Sequence, residues 1–208
     1  MQWGLIWSYR DALWRGLALT LELSAVSIIG SFVVGVGVGC LGATGGFLLP
    51  RLVRLYTELL RNLPLVVKLF FLYFVLGMDA IAAGLIALIT HQSAYIADLV
   101  TAGFRAVPRE QAEGAWASGL TGPQVFRHVL MPQVLRVIRP PLTSQFIEVV
   151  KNSATVMLIG VQELTFETQR IETETFRGFE AASTATILYL LVSLGIVLLM
   201  QRAGRLVR

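Results

Sequence analysis

Cysteine and histidine are nearly absent from this chain: Cys40 stands alone, and His91 and His128 are the two histidines. One cysteine inside an apolar run gives no disulfide framework, and no cluster of Cys and His has the spacing of a metal site. No glycine-rich phosphate loop of the Walker type is present, so any ATP hydrolysis belongs to another chain. Charge is scarce as well. Asp, Glu, Lys and Arg together make up 14% of the residues, against about 25% in a typical soluble domain. An internal repeat, the mark of many ion-driven secondary transporters, is not visible. An intramembrane enzyme needs a catalytic constellation at membrane depth, and Ser153 with His91 is the one pair on offer, with nothing else in the sequence to support it.

What is present is apolar surface. Of 208 residues, 55% are hydrophobic, and the mean hydropathy is +0.70. A membrane-spanning helix needs about 20 such residues, which leaves room for about five and for no separate soluble domain. The apolar runs place them at residues 16–41, 51–76, 80–103, 134–161 and 181–200. The expected fold is therefore an all-α membrane protein, one domain over residues 1–208. Trp3, Trp7, Tyr9 and Trp14 read as an interfacial anchor ahead of the first span, not as a cleavable signal. Within that span Gly35 and Gly39 lie four apart, a small-residue face for close helix packing. The net charge of +4 does not point to nucleic acid, because the basic residues are scattered at helix ends.

The polar stretch at residues 107–136 is the exception to this pattern. Pro108 suits the start of a short helix, with Glu110 and Glu113 near its positive end. Gly119 is a helix stop, Thr121 an N-cap and Pro123 a first-turn residue of a second short helix, which Pro132 is expected to break. Small residues at 114, 115, 117 and 118 would let a partner's backbone come close. An amphipathic hairpin with no partner is the plain alternative.

Polar side chains inside the spans are the other exception. Glu58 and Arg61 are spaced to pair on a helix. Asp98 lies in the third span, where a charge is costly and functional by default. In the fourth span Pro140 and Pro141 should break or bend the first turns. Beyond them Ser144, Glu148, Lys151, Asn152 and Thr155 share one helical face, opposite Phe146, Val149, Val150 and Val156. Such a stripe must face protein or a water-filled route, although Glu148 and Lys151 could also simply neutralise each other. Lys68 adds a charge in the second span.

Arginines settle the expected orientation. With residues 107–132 in the cytoplasm, Arg51, Arg54, Arg105, Arg109, Arg127, Arg136, Arg139, Arg202, Arg205 and Arg208 fall inside or at inner helix ends. Arg10, Arg15, Arg170 and Arg177 fall outside. The positive-inside bias then puts the N-terminus outside and the C-terminus inside.

Glu113-Gly114-Ala115, Gly119 and the Val129-x-Met131-Pro132 run resemble the cytoplasmic coupling loop of importer-type ABC permeases, E-A-A-x-x-x-G followed by I-x-L-P. Gly114, Val129 and Met131 depart from that pattern. Tyr56, Glu58, Arg61 and Pro64, and the run Ala94-Tyr95-x-Ala97-Asp98, are similar to the polar amino acid branch. The resemblance implies a type I ABC importer permease in a bacterial inner membrane. Glu113, Gly114, Ala115, Gly119 and Pro132 would then couple to P-loop ATPases that hold ATP and Mg, with no cofactor in this chain. It also implies a second permease subunit, identical or different, and a periplasmic or tethered amino acid-binding protein, all in membrane lipid. Glu148, Lys151, Asn152, Thr155, Lys68 and Asp98 become substrate-pathway candidates. Asn152 and Lys68 depart from the family's acid and glutamine, and both push toward glutamate or aspartate. Glutamine, asparagine or a broader polar range stays open.

Overall fold

The computed structural model describes residues 3–206. Arg208, used above for orientation, lies outside the described residues, as do the side chains of Trp3 and Arg205. All regular structure described is helical: α1 Trp3–Ser8, α2 Arg10–Thr44, α3 Leu49–Asn62, α4 Leu65–Phe70, α5 Ala80–Ala106, α6 Arg109–Ala117, α7 Gly122–Gln124, α8 Met131–Ser153, α9 Leu164–Thr175 and α10 Gly178–Leu206. Among these, Arg10–Thr44, Ala80–Ala106 and Gly178–Ala203 are long and apolar enough to cross a membrane. Those three stretches contain no proline, so nothing removes a backbone donor along their length.

The expected second and fourth spans differ from a plain helix. Helix α3 stops at Asn62, because Pro64 adopts an extended backbone (φ −55°, ψ 141°) and pushes the residue before it away from helix. The apolar half resumes as Leu65–Val75, whose last turns are wound as a π-helix. The break at Pro132 does not occur. Val125–Leu130 is a π-turn in which the Met131 amide donates to the Phe126 carbonyl, and the chain runs on into α8. This wider turn carries the backbone into α8, so Pro132 falls in that helix's first turn, where a missing donor is tolerated. Pro140 and Pro141 likewise lie inside α8 without interrupting it, and a 3₁₀ segment, Ala154–Ile159, follows.

Two compact units are distinguishable. One comprises the residues up to Gly30, Leu63–Thr90, and the chain from Phe146 on. Leu23, Leu65, Leu69, Leu88, Val156 and Ile159 form its larger core. Leu13, Leu17, Leu164, Ile171 and Ala181 form a second cluster. The outer side of α10 keeps Leu190, Leu191, Leu194, Leu198 and Leu199 exposed, as hydrocarbon requires and water would not favour.

The other unit, Ser31–Asn62 with His91–Gln145, packs α2 on α5 through glycine. A Cβ at Gly39 would lie 2.6 Å from Val100 Cβ and 2.7 Å from the Ala97 carbonyl oxygen. One at Gly35 would lie 2.6 Å from Ile96 Cβ. Gly37, between them, has nothing within 4 Å. The side chains opposite are β-branched, with few rotamers into which to retreat. Gly39→Val should therefore force the helices apart at a cost of about 1–3 kcal/mol, while Gly37→Val should be tolerated. Thermal unfolding of both variants in lipid nanodiscs checks this: equal melting temperatures would refute the close contact.

Candidate functional site

The first helix of the hairpin, α6, starts after Pro108 and ends at a C-terminal cap made by glycine. Gly119 takes φ +82°, its amide donates to the Trp116 carbonyl at 2.9 Å, and the Leu120 amide donates to that of Ala115 at 3.2 Å. Those paired bonds are a Schellman cap, which needs a left-handed residue at this position. Thr121 opens α7: its amide and hydroxyl both donate to Gln124 Oε1, at 2.8 and 3.0 Å. This is the return half of a capping box.

Underneath, Val125 is buried, and Phe126 stacks on Phe104 of α5 with ring centroids 5.7 Å apart. Gln133 of α8 donates to Gln111 of α6 at 3.4 Å. The hairpin is thus held firmly from below and bare on top. Glu113, Gly114 and Gly119 are exposed, as is Pro132, Trp116 is 55% exposed, and Ala115 is half-buried. A Cβ at Gly114 would meet nothing within 4 Å. An open groove of about 850 Å³ runs beside it, lined by Trp116, Phe126, Leu130 and Met131.

The stripe on α8 is likewise turned away from its own unit. Glu148 and Lys151 are exposed and pair at 3.5 Å, and Asn152 and Thr155 are half-buried. Val149, Val150 and Val156 are buried on the opposite side. The Thr155 hydroxyl donates to the Asn152 carbonyl at 2.7 Å, so its hydrogen is already used. Lys68 is buried within the same unit.

Asp98 belongs to the other unit and pairs with Arg61. The expected Glu58–Arg61 pair is corrected by this contact: Glu58 instead bonds Arg54 one turn back, at 3.2 Å. An opposite charge on a neighbouring helix has claimed Arg61. Ser153 is buried with its hydroxyl on the Val150 carbonyl at 2.7 Å, and His91 lies edge-on to Tyr95. Neither arrangement is that of an activated nucleophile. No group of three metal-ligating side chains occurs among the described residues.

This helical chain, with its one capped and exposed hairpin, matches the family model for the binding-protein-dependent transport system inner membrane component over residues 17–208. The chain belongs to that family. It is similar to the glutamine transport system permease protein GlnP of Escherichia coli (strain K12), 30% identical, with 98% of this chain and 96% of that one covered. The glutamate/aspartate import permease protein GltJ of the same strain is 31% identical over 97% of this chain and 89% of its own length. The crystal structure of an amino acid ABC transporter with histidines superposes with a TM-score of 0.85 at 29% identity, covering 96% of each chain. The methionine transporter MetNI shares the fold, with a TM-score of 0.83 at 23% identity over 97% of this chain and 98% of that one. This chain is thus an amino acid ABC permease subunit with the type I fold. It does no chemistry itself, and ATP is used by a separate ATPase chain.

Within the permease, one polar centre was missed by sequence reasoning, which assigned nothing to the residues between the expected fourth and fifth spans. Glu163 caps α9 and is fully buried. Its carboxylate accepts from the Phe166 amide at 2.9 Å, the Tyr189 hydroxyl at 2.8 Å and the Thr20 hydroxyl at 3.2 Å. Thr20 Oγ1 in turn accepts from the Leu164 amide at 3.1 Å. One side chain thereby ties α2, α9 and α10 together. The only sequence signal was an acid directly before an apolar helix start.

Burial raises the Glu163 carboxyl above its ordinary value, against the pull of those donors. A carboxyl raised in the folded state stabilises it below the unfolded pKa, and that contribution is lost as pH rises through the folded value. Thermal melts of the permease between pH 4.5 and pH 8 should therefore show a fall across the window just above about 4.5 that Glu163→Gln flattens. Identical pH profiles for the two proteins would contradict the burial of this charge.

Proposed function

We propose that this permease imports an acidic amino acid, glutamate or aspartate, as half of a dimeric translocation unit. Residues 107–132 serve as the coupling loop on the cytoplasmic side, with the N-terminus outside and the C-terminus inside. Glu113, Gly114, Ala115, Gly119 and Pro132 meet the partner ATPase, which holds ATP and Mg. A binding protein outside delivers the substrate, and residues 1–208 act as one transmembrane domain. Closing of the ATPases shifts the hairpin and rocks the two halves between inward- and outward-facing states.

One observation supports the substrate reading: α8 leaves Glu148 and Lys151 exposed and paired on one face while Val149, Val150 and Val156 are buried on the other. A polar stripe at this depth must face water or protein. An α-amino acid offers a carboxylate for Lys151 and an ammonium for Glu148. Asn152 is neutral, so it does not repel an anionic side chain, and Lys68 adds positive charge. Relatives named for glutamine favour a second reading, in which the amide is carried.

Uptake by the complete importer in proteoliposomes separates the two. Asn152→Asp and Lys68→Gln should each lower glutamate uptake relative to glutamine, by up to about tenfold, the equivalent of about 1.4 kcal/mol. If neither variant changes that ratio, the stripe does not select charge and the acidic reading falls.

A further inference from the structure

In the unit built from Ser31–Asn62 and His91–Gln145, a cleft of about 200 Å³ opens beside the second half of α5, with Arg61, Tyr95, Asp98, Arg105 and Gln145 along it. It shares no residue with the stripe on α8. Arg61 is already engaged, paired with Asp98 and lying 5.0 Å over the Tyr95 ring. Arg105 makes no ion pair among the described residues. Gln145 is fixed by its oxygen, which accepts from buried Gln92 at 2.6 Å. Its amide hydrogens have no acceptor among the described residues.

The cleft holds two guanidinium groups against one carboxylate. Helical side chains lean toward the N-terminus, so Arg105 reaches back along α5 in the direction of Asp98, about 10 Å away along the axis. Arg61 and Asp98 keep 42% and 50% of their side chains exposed. Asp98 lies on α5, which is long and apolar enough to span, and a carboxylate so exposed there cannot face hydrocarbon and requires water or a polar ligand beside its Arg61 partner.

We propose that this cleft is a binding site for an α-amino carboxylate. The ligand's carboxylate meets Arg105 and the Gln145 amide, and its ammonium meets the outer side of Asp98. Tyr95 and the Arg61 that stacks on it form the wall and hold Asp98 in place. The volume suits a single small zwitterion. The proposal rests on the amino acid reading of the importer but not on the charge of the transported side chain, because it uses only the groups every α-amino acid has.

Equilibrium binding of radiolabelled L-glutamate and L-glutamine to the assembled importer in nanodiscs, without nucleotide or binding protein, tests it. Wild-type importer should bind at least one of them saturably. Arg105→Gln should weaken that binding by at least about tenfold, as expected for losing a charge-assisted hydrogen bond. Arg105→Lys should recover part of it, and Arg54→Gln, on the exposed side of α3, should bind as wild type. Basal ATP hydrolysis by the Arg105→Gln complex verifies its assembly. Arg105-dependent binding of glutamine alone would keep the cleft and remove the acidic-substrate reading. Saturable binding of neither amino acid, or binding that Arg105→Gln leaves unchanged, would overturn the cleft, and loss of that binding in Lys151→Gln would place the site on α8 instead.

Discussion

Within hydrocarbon a charge has to be paired, watered or removed, and the arrangement of this permease follows from that constraint. Glu163 is buried and surrounded by donors from three helices. Arg61 and Asp98 pair between α3 and α5. Glu148 and Lys151 pair on α8 and stay exposed. The first device spends its charge on holding helices together. The other two leave polar surface free for a partner or a solute, and the apolar exterior of α10 is what lipid then covers.

The hairpin obeys a different rule. Its shape is set locally by a left-handed Gly119, a Schellman cap and a Thr121–Gln124 box. Its base is fixed to α5 and α8 by Phe126 and Gln133. A rigid knob with an unencumbered top is the form that the proposed coupling role requires. Small residues at its tip lower the steric barrier to a close partner.

These two rules explain how much could be read from the sequence. Local devices were legible: Gly119, Thr121 and Pro123 marked both short helices, and the glycines at 35 and 39 marked the α2–α5 contact. Non-local ones were not. Arg61 has an acceptable partner three residues away on its own helix, and only the fold shows that Asp98 lies closer. Glu163 sits among other acids, so its burial depends on Thr20 and Tyr189, distant in the chain. Proline was overread as a helix break at 132, where a wide turn carries the chain on, and at 140 and 141, which lie inside α8, and it was underread at 64, where it splits an apolar run. The polar stripe on α8 was legible because helical periodicity alone fixes a face, whichever helices pack against it.

Family membership establishes an amino acid permease, and the geometry adds a physical division of labour between a capped hairpin, a polar helix face and a charge-paired frame. The central claim is that the hairpin is where ATPase motion enters the chain. A photo-crosslinking residue placed at Ala117, at the exposed end of α6, and another at Phe176, 90% exposed after α9, tests it in membranes holding the whole importer. The account predicts a light-dependent adduct with the ATPase from position 117 and none from position 176. An adduct from position 176 with none from 117 would contradict it.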